Sequence, residues 1–280
     1  MIELGNYNEL TILRSTSVGL FLGDDDVDDL LLPAKYEPED FEIGDKIEVF
    51  CYLDHEERPI ATTLKPFIKR NSFAYLRVAE VNEIGAFMDW GLEKHLLVPY
   101  REQRNKMVAG TWEVVYCYLD EKSFRLVASS RLSKFLNNES VNFRVNEEVS
   151  LLVYRRSELG WDVVVNNMHR GLIFHSDVFQ KIQVGDDLQG FVKQIRPDKK
   201  LDIVLQPMGL KALEPAADQI FQALQEQGGF LKLNDSSSPE EIRSLLSMSK
   251  KTFKKAVGTL YKDKKITLEE DGIYLVTKTP

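Results

Sequence analysis

Residues 84–90 have the sequence IGAFMDW, in which a turn glycine precedes a short run of alternating side chains. A second glycine, Gly110, follows Gly85 after 25 residues. The same spacing recurs in two other glycine pairs, Gly19 with Gly44 and Gly160 with Gly185. A fixed internal spacing that occurs three times predicts three copies of one structural unit.

The sequence after the second glycine also agrees between the first two copies. Residues 50–54 are FCYLD and residues 116–120 are YCYLD. Apolar side chains alternate here between turns rich in Gly, Asp and Asn, which is typical of short strands in a small barrel. Cys51 and Cys117 fall on the apolar face of equivalent strands. We therefore expect buried core thiols with no metal site and no disulfide.

After the third copy the alternation gives way to helical spacing. We expect one helix over residues 215–227 that ends at Gly228. The capping box Ser238–Glu241 predicts the start of a second helix, and Ser249 that of a third. An Asp-Gly turn at residues 271–272 lies between two apolar runs and predicts a hairpin. Three helices followed by a hairpin indicate a winged helix-turn-helix.

Composition excludes several classes of protein. Of the 280 residues, 43 % are hydrophobic and 29 % are charged, as in ordinary globular chains. No run of about 18 apolar residues is present, and residues 1–10 lack the basic start and apolar core of a signal peptide. The histidines are scattered, and no Ser/His/Asp or Cys/His set is indicated. We expect a cytoplasmic protein with no membrane association, cofactor, metal or catalytic centre.

The charge is unevenly distributed along the chain. Residues 1–64 hold 4 basic and 16 acidic side chains, including the aspartate-rich segment at residues 24–29. Residues 65–140 hold 12 basic and 9 acidic side chains. Because an acidic surface repels phosphate, we expect the first copy to be structural or to contact a protein partner.

The second copy contains the aromatic and cationic side chains best suited to binding a ligand. Phe87 and Trp90 lie directly after Gly85, and Arg125 stands in the closing strand. This pattern resembles the S1 RNA-binding domain. The resemblance implies that Phe87 and Trp90 form a base-stacking platform and that Arg125 contacts phosphate or stacks. An aromatic pair beside cations suits single strands because every base has a π-face; packing of both rings in the core is the alternative.

Departures from the S1 pattern separate the three copies. Proline replaces the family's histidine at Pro33 and Pro99. The third copy has RGLIFH at residues 170–175, which is closer to the family's element, but Asp162 stands where the first aromatic is expected. We therefore expect the second and third copies to bind RNA.

The candidate RNA-binding residues are the motif side chains and the cations near them in the second and third copies. They are Phe87, Trp90, Arg125, Lys69, Arg70, Arg101, Arg104, Lys106, Phe174, His175 and Lys200. A lysine-rich face in the tail either contacts nucleic acid or a partner, or only solubilises the helix. It comprises Lys250, Lys251, Lys254 and Lys255. Arginine is scarce in this region, which disfavours sequence-specific recognition of duplex DNA.

The order of domains resembles the CvfB (YitL) family of bacterial S1-domain proteins. The predicted architecture is mostly β, with three tandem five-stranded OB-fold barrels of the S1 type followed by a small α+β winged-helix domain. The predicted boundaries are 1–64, 65–138, 139–210 and 211–280. The resemblance implies a single-stranded RNA-binding protein in post-transcriptional regulation of gene expression. The alternatives are a DNA-binding transcription regulator and an accessory subunit that docks on ribosome, polymerase or nuclease through the acidic first copy.

Overall fold

The computed structural model describes residues 2–24, 27–208 and 213–276. The chain forms two compact units, residues 1–137 and 138–280. The first unit holds two β-barrels, and the second holds another barrel and the winged helix. None of the helices in these described ranges is long and apolar enough to cross a membrane.

In the described part of the chain, fifteen strands form three closed barrels in which neighbours follow the order first, second, third, fifth, fourth. The third and fifth strands of each barrel pair in parallel. Barrel 1 comprises β1 (Tyr7–Thr16), β2 (Gly19–Asp24), β3 (Val27–Pro33), β4 (Lys46–Leu53) and β5 (Pro59–Thr62). Barrel 2 comprises β6 (Ser72–Val81), β7 (Gly85–Asp89), β8 (Leu96–Pro99), β9 (Trp112–Asp120) and β10 (Arg125–Ser129). Barrel 3 comprises β11 (Glu148–Arg156), β12 (Gly160–Val165), β13 (His169–Phe174), β14 (Asp187–Ile195) and β15 (Leu201–Val204). The prediction of three five-stranded barrels is confirmed.

The glycines that recur along the sequence have two different structural roles. The first glycine of each pair lies where its strand approaches the next one too closely for a Cβ atom. A Cβ at Gly85 would lie 2.4 Å from the carbonyl oxygen of Val98, and one at Gly160 would lie 1.9 Å from that of Ile173. Gly110, the second glycine of its pair, has open space around it but a φ of +84°, which L side chains rarely adopt. The 25-residue spacing therefore separates a glycine needed for a close strand approach from a glycine needed for a positive φ.

Each barrel and the winged helix have their own cluster of buried apolar side chains. Val49 and Cys51 on β4 are fully buried in the core of barrel 1. Cys117 on β9 occupies the same position in barrel 2 and is also fully buried. Burial raises the pKa of each thiol to about 12, so both sulfurs stay neutral near pH 7. The prediction of buried core thiols is confirmed.

The winged helix has its helix starts where the sequence predicts them. The Ser238 hydroxyl accepts a hydrogen bond from Glu241 N at 3.1 Å, and the Glu241 carboxylate accepts one from Ser238 N at 2.7 Å. Ser249 accepts from Thr252 N at 3.1 Å. The elements are α1 (Leu213–Glu226), β16 (Phe230–Leu231), α2 (Pro239–Leu246), α3 (Lys250–Lys262), β17 (Ile266–Glu269) and β18 (Gly272–Leu275). The predicted three helices and hairpin are confirmed.

Replacing Gly85 with alanine is expected to destabilise barrel 2 by about 1 to 3 kcal/mol, because the added methyl group would displace the backbone of β8. Gly110→Asn is the matched control, and it should cost less than about 1 kcal/mol because asparagine tolerates positive φ. Urea unfolding of both variants, followed by circular dichroism, measures the difference. Equal losses of stability would contradict the two separate roles.

Candidate nucleic-acid interface

Trp90 lies inside the protein, between barrel 1 and barrel 2. Its side chain is only 3 % exposed. The indole packs edge-on against Phe50, with ring centroids 5.8 Å apart, and against Tyr52 at 6.3 Å. Its Nε1 donates a hydrogen bond to the carbonyl oxygen of Lys94 at 2.6 Å. The prediction of an exposed stacking pair is therefore wrong for Trp90, because the indole is almost fully buried against side chains of both barrels.

The partners of Trp90 come from the outer face of β4, which sequence reasoning overlooked. Val49 and Cys51 point into barrel 1, whereas the alternating positions Phe50 and Tyr52 belong to the buried cluster of barrel 2. A strand that is apolar on both faces is typically covered on both sides. The unbroken apolar run at residues 49–53 was the signal that could have identified this contact.

Phe87 is half-buried on β7, and the turn between β4 and β5 lies against the same face of barrel 2. Glu57, in that turn, points its carboxylate at two cations. Its Oε2 lies 3.0 Å from Arg125 Nε, and its Oε1 accepts a hydrogen bond from Lys94 Nζ at 3.0 Å. Lys94 Nζ also donates to the carbonyl oxygen of Asp54 at 2.6 Å. A carboxylate of barrel 1 thus occupies the place at Arg125 that the S1 resemblance gives to phosphate.

A pocket of about 130 Å³ remains beside Phe87. It is lined by side chains of both barrels, among them Tyr52, Glu57, Trp90 and Arg125. Ordinary ligand pockets measure roughly 300 to 1,000 Å³. With Trp90 buried and Arg125 paired with Glu57, the motif-bearing face of barrel 2 offers a run of nucleotides only this small pocket. We call the Asp54–Arg58 turn and its contacts with Lys94 and Arg125 the Glu57 clamp.

In every barrel a basic residue at or just before the start of the fifth strand has an acidic partner. The register places Arg58, Arg125 and Lys200 at equivalent positions relative to the third strand. Arg58 Nη2 lies 2.8 Å from an Asp54 oxygen, and Lys200 Nζ lies 2.8 Å from an Asp198 oxygen. Lys200 keeps 64 % of its side chain exposed, so its surface ion pair with Asp198 is weak.

Barrel 3 presents the other predicted aromatic, Phe174, with two cations near its ring. Lys193 Nζ lies 6.0 Å from the centroid of the Phe174 ring, and Arg196 Cζ lies 5.3 Å from it. Arg196 is held there by Asp202, whose Oδ1 is 2.8 Å from Arg196 Nη2. Asp202 is only 2 % exposed. Sequence reasoning found Phe174 and missed both cations, since they lie on another strand.

His175 and Asp162 lie on the same barrel with structural contacts. His175 Nε2 lies 3.0 Å from the carbonyl oxygen of Ser157, and its ring meets Trp161 edge-on at 6.4 Å. Asp162, at the position of the missing aromatic, is 3 % exposed and accepts a hydrogen bond from Arg155 Nε at 2.5 Å. A buried ion pair thus replaces an aromatic ring on β12.

The remaining predicted cations of barrel 2 lie at its surface. Lys69, Arg101, Arg104 and Lys106 are exposed, and Arg70 is half-buried. In barrel 1, the Arg14 guanidinium lies 3.8 Å above the Phe21 ring and pairs with Asp29 at 2.5 Å. Asp25 and Asp26 of the aspartate-rich segment lie outside the described residues. The described residues contain no group of three or more His, Cys, Asp and Glu side chains arranged for a metal ion.

The four tail lysines divide into two pairs. Lys250 Nζ donates a hydrogen bond to the carbonyl oxygen of Ser237 at 2.7 Å, and Lys254 Nζ lies 3.2 Å from an Asp235 oxygen. These contacts secure the start of α3 within its own domain. Lys251 and Lys255 are exposed on the same helix.

Comparison with known protein families identifies two domains. Residues 4–64 match the S1 domain, and residues 218–275 match the CvfB-like winged helix domain. The S1 match covers barrel 1, the acidic copy. An S1 domain together with a winged helix supports nucleic-acid binding by this chain.

Relatives of the whole chain agree with these matches. YitL of Bacillus subtilis is 29 % identical, with 96 % of this chain and 93 % of YitL covered. Conserved virulence factor B of Staphylococcus epidermidis is 26 % identical, with 86 % of this chain and 84 % of that protein covered. A multidomain protein with nucleic acid binding domains from Streptococcus pneumoniae, solved by crystallography, is 26 % identical, has a TM-score of 0.44 and is covered over 98 % of both chains. The sequence relatives and the domain matches confirm the resemblance to the CvfB (YitL) family.

Replacing Trp90 with alanine is expected to lower the free energy of unfolding of the unit at residues 1–137 by about 3 to 5 kcal/mol, because it leaves a cavity between the two barrels. Phe67→Ala is the matched control, since Phe67 is 65 % exposed, and it should change stability by less than about 0.5 kcal/mol. Chemical unfolding followed by circular dichroism measures both. A Trp90→Ala variant with unchanged stability would contradict the buried position.

Proposed function

We propose that this protein binds single-stranded RNA through S1-type barrels and acts in post-transcriptional regulation of gene expression. The matched S1 domain and CvfB-like winged helix support this proposal. OB-fold barrels bind oligonucleotides on an outer sheet face. Sequence-tolerant binding of single strands requires ring faces for the bases and cations for the phosphates.

Phe174 is the stacking surface proposed for a base, and Lys193 and Arg196 lie near its ring. Both cations lie within about 6 Å of the ring, where a cation–π interaction orients them. The ion pair of Arg196 with the buried Asp202 fixes the guanidinium before any ligand arrives. A base that stacks on Phe174 would therefore place its phosphates near two cations that carboxylates of the same barrel already position. This preorganisation lowers the entropic cost of binding.

The carboxylates that pair with these cations belong to barrel 3: Asp177 Oδ2 lies 2.7 Å from Lys193 Nζ, and Asp202 pairs with Arg196. In barrel 2 the Glu57 carboxylate comes from another barrel, whereas Asp198 and Asp202 belong to barrel 3 itself. We therefore assign the first RNA contact to barrel 3. The net charge of −12 over residues 1–64 makes barrel 1 a poor phosphate surface, and we propose it as a surface for a protein partner.

Single-stranded RNA is favoured over duplex DNA by the chemistry of α3. The helix contains no arginine, and bidentate recognition of guanine in the major groove depends mainly on arginine. Lys250 and Lys254 are engaged with Ser237 and Asp235 of the same domain. The exposed Lys251 and Lys255 offer only point charges to a phosphate chain.

The full-length protein is expected to bind a single-stranded RNA of about 12 nucleotides at least tenfold more tightly than duplex DNA of the same sequence at about 0.15 M salt.

Phe174→Ala should weaken RNA binding by about 1 to 3 kcal/mol, because one stacking surface is removed. Fluorescence anisotropy with labelled oligonucleotides measures both affinities.

Phe67→Ala is the control, because it removes an exposed phenyl ring from another surface. Its RNA affinity should equal that of the unmodified protein. Tighter binding of duplex DNA than of RNA would support the transcription-regulator alternative instead. Detectable binding to neither polymer would contradict the proposed function.

A further inference from the structure

Barrel 2 carries a second group of aromatic rings on a surface that does not include the S1 motif. These rings project from the outer faces of β6 and β9 and from the segment after β10. We call this set the aromatic face, and its members are Phe73, Tyr75, Trp112, Tyr116, Tyr118 and Phe135.

Strand alternation explains why these rings point outward. On β9, Val115 and Cys117 are fully buried in the core of barrel 2. Trp112, Tyr116 and Tyr118 lie on the opposite side of the strand, because successive side chains alternate between faces. Trp112 is 52 % exposed. The core of the barrel is therefore filled without these rings, and their place on the surface calls for another role.

The rings form two groups along the sheet. Phe73 lies directly opposite Tyr116 in the register of β6 and β9, with ring centroids 4.6 Å apart. Phe135 stacks on Tyr116 at 4.2 Å with an interplanar angle of 22°. Trp112 packs beside Tyr75 at 5.3 Å. Trp112 and Tyr116 are four residues apart on one strand, which is about 13 Å.

Arginine side chains accompany both groups. Arg77 lies directly opposite Trp112 in the register and is exposed. Burial raises the pKa of Tyr116, and the nearby positive charge of Arg70 opposes that shift. Burial and the nearby carboxylates of Glu102 and Asp120 raise the pKa of Tyr118, and Arg101 opposes that shift. Arg70 directly precedes Asn71, whose Oδ1 accepts a hydrogen bond from the Tyr116 hydroxyl at 3.4 Å, and Arg101 Nη2 lies 3.8 Å from Asp120 on β9.

The carboxylates near this surface have cationic partners. Glu102 pairs with Lys134 at 2.9 Å, and Asp120 lies 3.8 Å from Arg101. Flat rings at intervals along a strand, with arginines between them, match the bases and phosphates of a single-stranded polynucleotide. A protein ligand would gain the ring contacts but would not in general supply an anion beside each group of rings.

We propose that the aromatic face is a second binding site for single-stranded RNA, in which bases stack on Trp112 and Phe135 and phosphates lie near Arg70, Arg77 and Arg101. The inference rests on the proposed function and deepens it. The site lies apart from the Phe87 face that the Glu57 clamp covers. Arg70 and Arg101, which the sequence predicts to bind RNA, are thus assigned to a site whose aromatic rings are not Phe87 and Trp90.

Trp112→Ala in the full-length protein tests the site, because the exposed side chain can be removed with little effect on the fold. Its affinity for a single-stranded RNA of about 12 nucleotides should fall about fivefold or more. Trp112→Phe should retain most of the affinity, since it keeps a ring for stacking. Phe67→Ala should leave the affinity unchanged.

Arg77→Gln should make the log-log dependence of affinity on salt shallower by about 0.7 for each phosphate that the protein no longer neutralises.

The outcomes separate this inference from the proposed function. RNA binding that is weakened by Phe174→Ala but unaffected by both Trp112→Ala and Arg77→Gln would overturn the second site alone and assign the aromatic face to a protein partner. Absence of RNA binding by the unmodified protein would overturn both. Circular dichroism confirms that each variant is folded, and reduced affinity in a folded Trp112→Ala variant that Trp112→Phe restores supports the site.

Discussion

The packing of Phe50 and Tyr52 around Trp90 is the interaction on which the arrangement of residues 1–137 depends. Each fully buried aromatic side chain contributes about 1.5 to 3 kcal/mol, whereas a partly exposed ion pair contributes less than about 1 kcal/mol. The three rings therefore hold the barrels together, and the Glu57 clamp mainly sets how barrel 1 faces barrel 2. The consequence is functional, because the S1 motif of barrel 2 becomes an interface within the protein.

Ion pairs of both polarities also join barrel 1 to barrel 2. Glu57 contacts Lys94 and Arg125, and Lys35 of barrel 1 pairs with Glu93 of barrel 2. Complementary charges across an interface fix its register and disfavour other arrangements. Part of the acidity of residues 1–64 thus serves the contact with barrel 2 as well as repelling phosphate. Under the proposed function, RNA binds to surfaces that this contact leaves open.

The fold could be predicted from the sequence because its determinants are local. The glycine pairs mark a close strand approach and a positive φ, and glycine itself is the residue type that indicates both. The helix caps at Ser238 and Ser249 mark helix starts in the same local way. Strand alternation also placed Cys51 and Cys117 correctly in two cores.

The site was only partly predictable because its determinants are tertiary. The spacing of Phe87 and Trp90 matches the S1 pattern, yet it carries no information about what covers the two rings. Glu57 and Arg125 are far apart in sequence, and nothing near either residue indicates that they meet. Lys193 and Arg196 likewise reach Phe174 from another strand. The sequence therefore indicated several of the surface cations, but it predicted an exposed Trp90 where the structure has a buried one.

Photocrosslinking of thiouridine-substituted single-stranded RNA to the full-length protein, with the attached peptides identified by mass spectrometry, shows whether packing of barrel 1 on barrel 2 closes the S1 motif face and directs RNA to other surfaces. If it does, crosslinks occur in peptides that contain Phe174, Trp112 or Phe135, and none occur at Phe87 or Trp90. Crosslinks concentrated at Phe87 and Trp90 would contradict it, because they would show that RNA reaches the face between the two barrels.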